Sequence, residues 1–157
     1  DHYYITEILD AAADTPGWQF LFVGEGELAP EVREAAADLD NVFYPGAFDY
    51  ELMPGFLDHA AAGFCFKHAE QPLKLKEYGA AGLPTIAQPG ELQAFYEETE
   101  LLFVKPQGQE IAETLAELSP DRSKAYGEAL RERAAESSWE EIADGFRELF
   151  KSAVSNE

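Results

Sequence analysis

One segment, Glu70–Ala87, constrains the fold more than any other part of this 157-residue chain, and it reads EQPLKLKEYGAAGLPTIA. Pro72 suits the first position of a helix, and Gly82 with Pro84 just beyond it suits the end of one. Residues 85–87 then begin an apolar strand. A loop, a short helix and a strand in this order predict an anion site at the amino end of the helix, in an open α/β sheet.

Apolar runs of strand length alternate with helical patterns along the rest of the chain. Strands are expected at residues 18–23, 41–44, 62–66, 84–88 and 101–104. Helices are expected at residues 2–13, 30–39 and 50–59, with Pro54 and Gly55 interrupting the third, and again after residue 110. Such alternation predicts an α/β fold with buried parallel strands.

The helix that begins near Pro72 carries the first candidate site residues. The backbone N–H groups near Leu73 and Lys74 would point at a phosphate. Glu77 lies about one turn further along and can accept two hydroxyl hydrogen bonds from a ribose. In the alternative interpretation, Glu77 is a surface acid paired with Lys74 three residues before it.

The run KLKEYGAAGLPTIA resembles the donor-binding segment of GT-B glycosyltransferases, close to the group 1 (GT4-like) enzymes, where the pattern K-[LF]-x-E-Y-x-A-x-G-x-P-x-[IV] is common. The resemblance extends over nearly the whole chain. It implies one half of a GT-B fold: a Rossmann-like, doubly wound parallel sheet of about five to six strands with C-terminal helices. It also implies that residues 1–157 form a single nucleotide-sugar (donor) binding domain that lacks its first strand and the N-terminal acceptor domain.

Loops after the first two visible strands hold further candidates for nucleotide binding. Gly24 and Gly26 allow a tight turn and close approach of a ligand, or form an ordinary strand-to-helix turn. Gly46, Ala47 and Phe48 match the place where, in the family, a loop backbone meets the nucleotide base. Phe48 either stacks on a base or caps the core.

The loop after the third strand supplies the candidate catalytic residue, Glu70. In related enzymes a Glu-x7-Glu pair places an acid against the donor sugar, whereas here six residues separate Glu70 from Glu77. Glu70 is therefore either the catalytic acid of a shortened loop or a solvated loop acid. Lys67 and His68 are candidate partners of the diphosphate, because ligands bind at the carboxyl ends of strands in such sheets.

The function implied by the resemblance is transfer of a sugar from a UDP- or GDP-sugar to a glycan or lipid-linked acceptor, as in polysaccharide biosynthesis, by a hexosyltransferase. The donor-binding fragment alone is expected to be inactive. No cofactor is expected, and transfer without a metal is expected because helix dipoles and basic side chains can meet the leaving diphosphate. The alternative is a non-catalytic nucleotide-binding or protein-interaction module on a degenerate GT-B half.

The charge of the chain restricts its partners, since 31 acidic residues stand against 11 basic ones, for a net charge of −20. Nucleic acid is not an expected partner, because phosphate contacts need lysine and arginine. No apolar run is long enough for a membrane span, so we expect a cytoplasmic protein that meets the membrane only through the partner domain of the full-length enzyme. The single cysteine, Cys65, is expected to be a small buried apolar residue.

We predict that this acidic, halophilic type of composition makes stability depend on salt. At low ionic strength the acidic side chains of a protein with a net charge of −20 repel one another in the folded state, and salt screens that repulsion. The free energy of unfolding, measured by denaturant titration, should therefore rise as KCl is added. Full stability in dilute buffer would contradict adaptation to a high-salt cytoplasm.

Overall fold

The computed structural model describes residues 3–67, 72–136 and 139–154. Its elements in chain order are α1 (Ile5–Asp14), β1 (Phe20–Val23), α2 (Ala29–Asp38), β2 (Val42–Gly46), α3 (Met53–His59), β3 (Gly63–Cys65), α4 (Leu73–Ala81), β4 (Thr85–Ala87), β5 (Leu102–Phe103), α5 (Gly108–Glu117), α6 (Pro120–Ala135) and α7 (Trp139–Val154). Two 3₁₀ turns, Tyr50–Leu52 and Glu91–Ala94, complete this order. The alternation confirms the predicted α/β fold.

The strands of the described residues run parallel and form two sheets. One sheet pairs β1 with β2, and the other has the order β3-β4-β5. Within the described ranges no ladder joins β1 to β3, although the rings of Phe20 on β1 and Phe64 on β3 lie parallel with centroids 6.2 Å apart. The five strands agree with the lower end of the expected number, but they are divided between two sheets rather than forming one.

Helices pack against both faces of the three-stranded sheet, which is the doubly wound arrangement expected from the sequence. The first core lies under α1 and α5, where Ile86 of β4 meets Ala11 and Ile111. The second core lies under α4 and α6, where Ala87 of β4 meets Leu75 and other buried residues. All three residues of β4 are buried, as is typical of a central parallel strand.

The helix predicted at residues 50–59 is not interrupted at Pro54 and Gly55. The structure places a 3₁₀ turn at Tyr50–Leu52 and then a continuous α3, with Pro54 in its first turn. Proline is tolerated there because the first amides of a helix have no intrahelical acceptor.

A close crossing with α6 fixes the position of α4. A Cβ on Gly79 would lie 2.6 Å from the Ala134 Cβ, and a Cβ on Gly127 would lie 2.1 Å from the Gly82 carbonyl oxygen. The Arg131 guanidinium donates to the Ala81 carbonyl oxygen at 2.8 Å, so α6 also caps the carboxyl end of α4. Gly82 itself adopts a left-handed conformation (φ 67°), which confirms it as the predicted helix stop.

The last helix, α7, carries apolar side chains that the described residues leave in solvent. Phe146, Leu149 and Phe150 are all exposed. They share one face of the helix because they are spaced three or four residues apart, with one adjacent pair. This face is a candidate contact surface.

We predict that Gly127→Ala lowers the free energy of unfolding by about 1–3 kcal/mol, because the added methyl meets a backbone carbonyl that cannot rotate away. Gly145→Ala on α7 is the matched control, since a Cβ there has open space around it. The control should be neutral or stabilising, because alanine favours the helical state over glycine. Equal stability of the two variants in chemical denaturation would show that the crossing is looser than described.

Candidate functional site

The amino end of α4 lies at the carboxyl edge of the three-stranded sheet, directly after the loop that follows β3. Pro72 is the N-cap residue in an extended conformation, and no side chain caps this end in the described part of the chain. The amides of Leu73 and Lys74 belong to the first turn, where α-helical geometry provides no acceptor. They carry the positive end of the helix dipole, which favours an anionic ligand.

Two lysine ammonium groups lie next to this end of α4. The Lys74 Nζ is 5.0 Å from the centroid of the Tyr3 ring, and the Lys67 Nζ is 5.7 Å from the same centroid. Neither lysine forms an ion pair with an acid of the described residues, although Arg133 and Lys151 do so elsewhere on the surface. Two cations therefore converge on one aromatic ring in a chain dominated by negative charge.

The thiol of Cys65 experiences the charge of both lysines. Burial at the end of β3 raises the pKa of Cys65 to about 11, and the ammonium groups of Lys74 and Lys67 act in the opposite direction. The lysines thus lie close enough to the carboxyl end of β3 to influence a group at its last position.

Glu77 lies one turn into α4 and faces the segment that follows β2. Its Oε1 accepts a hydrogen bond from the hydroxyl of Tyr50. That hydrogen bond, together with the negative charge of the carboxylate, raises the pKa of the Tyr50 phenol. The alternative pairing of Glu77 with Lys74 is not among the ion pairs of the described residues.

The loops after β1 and β2 are held together by backbone and tyrosine hydrogen bonds. The Gly24 amide donates to the Gly46 carbonyl oxygen at 3.0 Å, and the Tyr44 hydroxyl lies 2.8 Å from the Gly24 carbonyl oxygen. Both glycines have positive φ, 120° and 81°, which explains why glycine occupies them. The Glu25 carboxylate would be 3.2 Å from a Cβ on Gly46, so it lies over that glycine.

The ring of Phe48 is half-buried and stacks on Phe56 of α3, with centroids 4.4 Å apart. One face of the ring is therefore occupied within the protein. This contact supports a packing role, and base stacking on the other face stays a prediction.

The structure thus brings Leu73, Lys74 and Lys67 to one helix end, and Gly24 and Gly46 to a neighbouring pair of loops. Ala47 is exposed in the second loop, and Gly26 has open space around it in the first. The predicted residues His68 and Glu70 lie outside the described residues. All of these assignments stay predictions.

Two tyrosines at the site were not anticipated from the sequence. Tyr3 lies against both lysines, and Tyr50 donates to Glu77. The position of Tyr50 in the sequence could have indicated this role, because Tyr50 directly follows the loop expected to meet a base. An aromatic ring with a polar hydroxyl suits a partly exposed binding site.

A shallow hollow lies at the opposite, amino edge of the sheet. It is lined by Trp18, Ala60, Ala61, Gly82, Pro84, Leu118, Pro120, Ser123 and Lys124. This lining is mostly apolar and contains a single cation, so we place the candidate anion site at the end of α4 on the basis of charge and helix polarity. Among the described residues, no cluster of three or more histidine, cysteine or acidic side chains could hold a metal, and no helix is long and apolar enough to cross a membrane.

The parallel strands and the helices on both faces of the three-stranded sheet match the Rossmann-like half of a GT-B fold. The family described as Glycosyl transferase-like matches residues 6–147. The chain belongs to this family. The comparison with curated proteins gives no match.

Solved structures with the same fold include several glycosyltransferases. The chain is similar to HepE from Anabaena in complex with UDP (17% identity, TM-score 0.79, covering 96% of this chain and 46% of that one). It is similar to the pneumococcal O-GlcNAc transferase GtfA in complex with UDP and GlcNAc (16%, TM-score 0.72, 97% and 33%). It is also similar to sucrose-phosphate synthase from Thermosynechococcus elongatus (23%, TM-score 0.74, 96% and 43%). The chain therefore spans less than half the length of each of these proteins.

We predict that the pKa of the Cys65 thiol depends on the charges of Lys67 and Lys74. Removal of a nearby cation should raise the pKa of its thiol further, so Lys74→Ala should titrate at higher pH than the unchanged protein. The measurement is the NMR chemical shift of the labelled Cys65 β-carbon against pH, which reports a single group because the chain has one cysteine. Lys76→Ala, on the same helix, is the matched control and should leave the titration unchanged.

The same pKa has a consequence for stability. The folded pKa of about 11 exceeds the value of about 8.5 expected for the unfolded thiol. The contribution of the neutral thiol to the free energy of unfolding is therefore complete below about pH 8.5 and is lost as the pH rises toward 11.

Burial of the thiol also predicts low reactivity. In the folded protein at about pH 8, the thiol should react with a disulfide reagent far more slowly than after unfolding. Rapid native labelling would contradict its burial.

Proposed function

We propose that this chain is the donor-binding domain of a glycosyltransferase that moves a sugar from a UDP- or GDP-sugar to a glycan or lipid-linked acceptor. In this proposal the diphosphate binds at the amino end of α4, between the first-turn amides of Leu73 and Lys74 and the ammonium groups of Lys67 and Lys74. The Glu77 carboxylate accepts hydrogen bonds from the ribose hydroxyls. The base lies toward the loop that contains Gly46, Ala47 and Phe48.

The observation that carries this proposal is the convergence of Lys67 and Lys74 on the amino end of α4 in a chain of net charge −20. Among the described residues neither lysine has an ion-pair partner, and no side chain caps this helix end. A carboxylate one turn along the same helix adds the hydroxyl acceptor that a ribose requires. The HepE and GtfA structures are complexes with UDP, which supports the same ligand class here.

In this proposal the residues at the amino end of α4 stabilise the leaving nucleoside diphosphate. As the bond between the sugar and the diphosphate breaks, negative charge grows on the diphosphate oxygen. Fixed amide dipoles and ammonium groups stabilise that charge in the transition state more than in the ground state, which is the basis of electrostatic catalysis. We propose a hexosyltransferase in which these groups stabilise the negative charge of the leaving diphosphate without a metal. Glu70 is the candidate acid that lies against the donor sugar.

We further propose that this domain works with an N-terminal acceptor domain and with a first strand between β1 and β3. Tyr4, at the start of α1, makes an edge contact with Phe66 just beyond β3, with centroids 6.2 Å apart. A parallel strand in the gap would therefore end where α1 begins, and α1 would return the chain to β1 in the usual crossover. The exposed face of α7 is the surface that we assign to the acceptor domain.

We propose a location in a high-salt cytoplasm, with any membrane association made by the acceptor domain, and a role in surface polysaccharide synthesis. The charge of the chain supports the first part of this proposal. A non-catalytic nucleotide-binding module is the second candidate, favoured by the six-residue spacing between Glu70 and Glu77. Nucleotide binding by this module would occur without donor hydrolysis or transfer, even when the acceptor domain is present.

We predict that UDP or GDP binds to the protein and that Glu77→Ala weakens binding about tenfold or more, because a charged acceptor of two hydroxyl groups is lost. Lys67→Ala and Lys74→Ala should each weaken binding by a smaller factor that shrinks as salt is added. The measurement is isothermal titration calorimetry. Without an acceptor domain, the chain should bind the nucleotide and transfer no sugar.

Glu128→Ala on α6 serves as the matched control, because Glu128 is an exposed helix acid whose partner is Lys124. It should bind the nucleotide as the unchanged protein does. If neither UDP nor GDP binds, or if Glu77→Ala binds as tightly as the control, the assignment of the site is wrong.

A further inference from the structure

Tyr50 links two segments of the chain at the candidate site. It lies in the 3₁₀ turn after β2, and its hydroxyl donates to Oε1 of Glu77 on α4, 27 positions later in the chain. The turn is fixed at its start by Asp49, whose side chain accepts from the Glu51 amide at 3.2 Å. Tyr50 is 64% exposed, so burial of its ring does not explain its orientation.

The Tyr50 hydroxyl is the side-chain partner that the described residues give to Glu77. A glutamate on a helix surface has several torsions to restrict, and holding such a side chain costs up to about 2 kcal/mol of conformational entropy. A hydrogen bond from a neighbouring element compensates for that cost before a ligand arrives. It also keeps the carboxylate on the side of α4 that faces the loop after β2.

The contact leaves enough of the carboxylate free to bind a diol. An ionised carboxylate has two oxygens with about four acceptor positions, and the phenol takes one of them. The second oxygen and one position on Oε1 remain for two adjacent hydroxyl groups. Two neighbouring ribose hydroxyls, 2′ and 3′, match this requirement.

We infer that Tyr50 is a positioning residue that holds the Glu77 carboxylate for the two ribose hydroxyls, and that it thereby makes the site prefer ribonucleotides over 2′-deoxyribonucleotides. The inference rests on the proposed function, because it concerns the same nucleotide site. The raised pKa of the Tyr50 phenol agrees with a hydroxyl that keeps its proton to donate to the carboxylate.

The alternative to positioning is competition, in which the Tyr50 hydroxyl occupies the position of a ribose hydroxyl and competes with the nucleotide. The neighbouring contacts favour positioning. Phe48 stacks on Phe56 of α3, and α3 contacts α4, so the segment that carries Tyr50 is anchored on both sides of the turn. An anchored donor that uses one acceptor position supports the carboxylate without blocking it.

The first experiment compares UDP, or GDP if it binds more tightly, with the corresponding 2′-deoxynucleotide by calorimetry. The unchanged protein should prefer the ribonucleotide. Tyr50→Phe removes only the hydroxyl, so it should weaken ribonucleotide binding about 3–10-fold and leave the deoxynucleotide within about twofold. The preference for ribose therefore falls. Tyr126→Phe on α6, remote from Glu77, is the matched control and should keep the full preference.

The second experiment needs no nucleotide. The pKa of Tyr50, followed by NMR of its labelled ring carbons, should lie above the ordinary value of about 10 and should return toward it in Glu77→Gln. An unshifted Tyr50 overturns the inference, and so does an unaltered ribose preference or tighter ribonucleotide binding in Tyr50→Phe. If the unchanged protein binds no nucleotide, the proposed function fails and this inference fails with it. A loss of preference that is confined to Tyr50→Phe and Glu77 variants supports both.

Discussion

The crossing of α4 and α6 is the contact on which the candidate site depends. Gly127 lets α6 approach the Gly82 carbonyl, and Arg131 satisfies the carbonyl of Ala81 at the carboxyl end of α4. Because the helix is held at this end and along its buried side, its opposite end points out of the carboxyl edge of the sheet. The amide dipoles, Lys74 and Glu77 are all carried by this one rigid element. Their relative geometry is therefore set by packing far from any ligand.

Local chemistry explains why much of the fold follows from the sequence. The limits of α4 are marked by Pro72, which lacks a donor, and by Gly82, which adopts a left-handed conformation at low cost. The five strands are short apolar runs that end at loops, so their existence and direction are predictable from pattern. Ser119 likewise caps α6 by accepting from the Arg122 amide, which the Ser-Pro-Asp run indicates.

Contacts between distant segments explain what could not be predicted. The hydrogen bond from Tyr50 to Glu77 and the stack of Phe48 on Phe56 depend on how the segment after β2 lies over α4, and no local pattern encodes that placement. The division into two sheets is a matter of backbone pairing, whereas the sequence pattern reports only burial. The same applies to Tyr3, whose position beside two lysines depends on where α1 begins.

The two-sheet arrangement has a dynamic consequence. In the described residues β1 and β2 share side-chain packing with the rest of the protein through Phe20 and Val42, but they share no strand ladder with β3. Side-chain contact alone couples two units less cooperatively than packing and ladder hydrogen bonds together. Without the strand that we propose between β1 and β3, the β1–β2 unit can therefore open as a separate foldon while the three-stranded half stays closed. Subglobal opening of this kind would expose the amides of β1 to deuterium exchange well before those of β4.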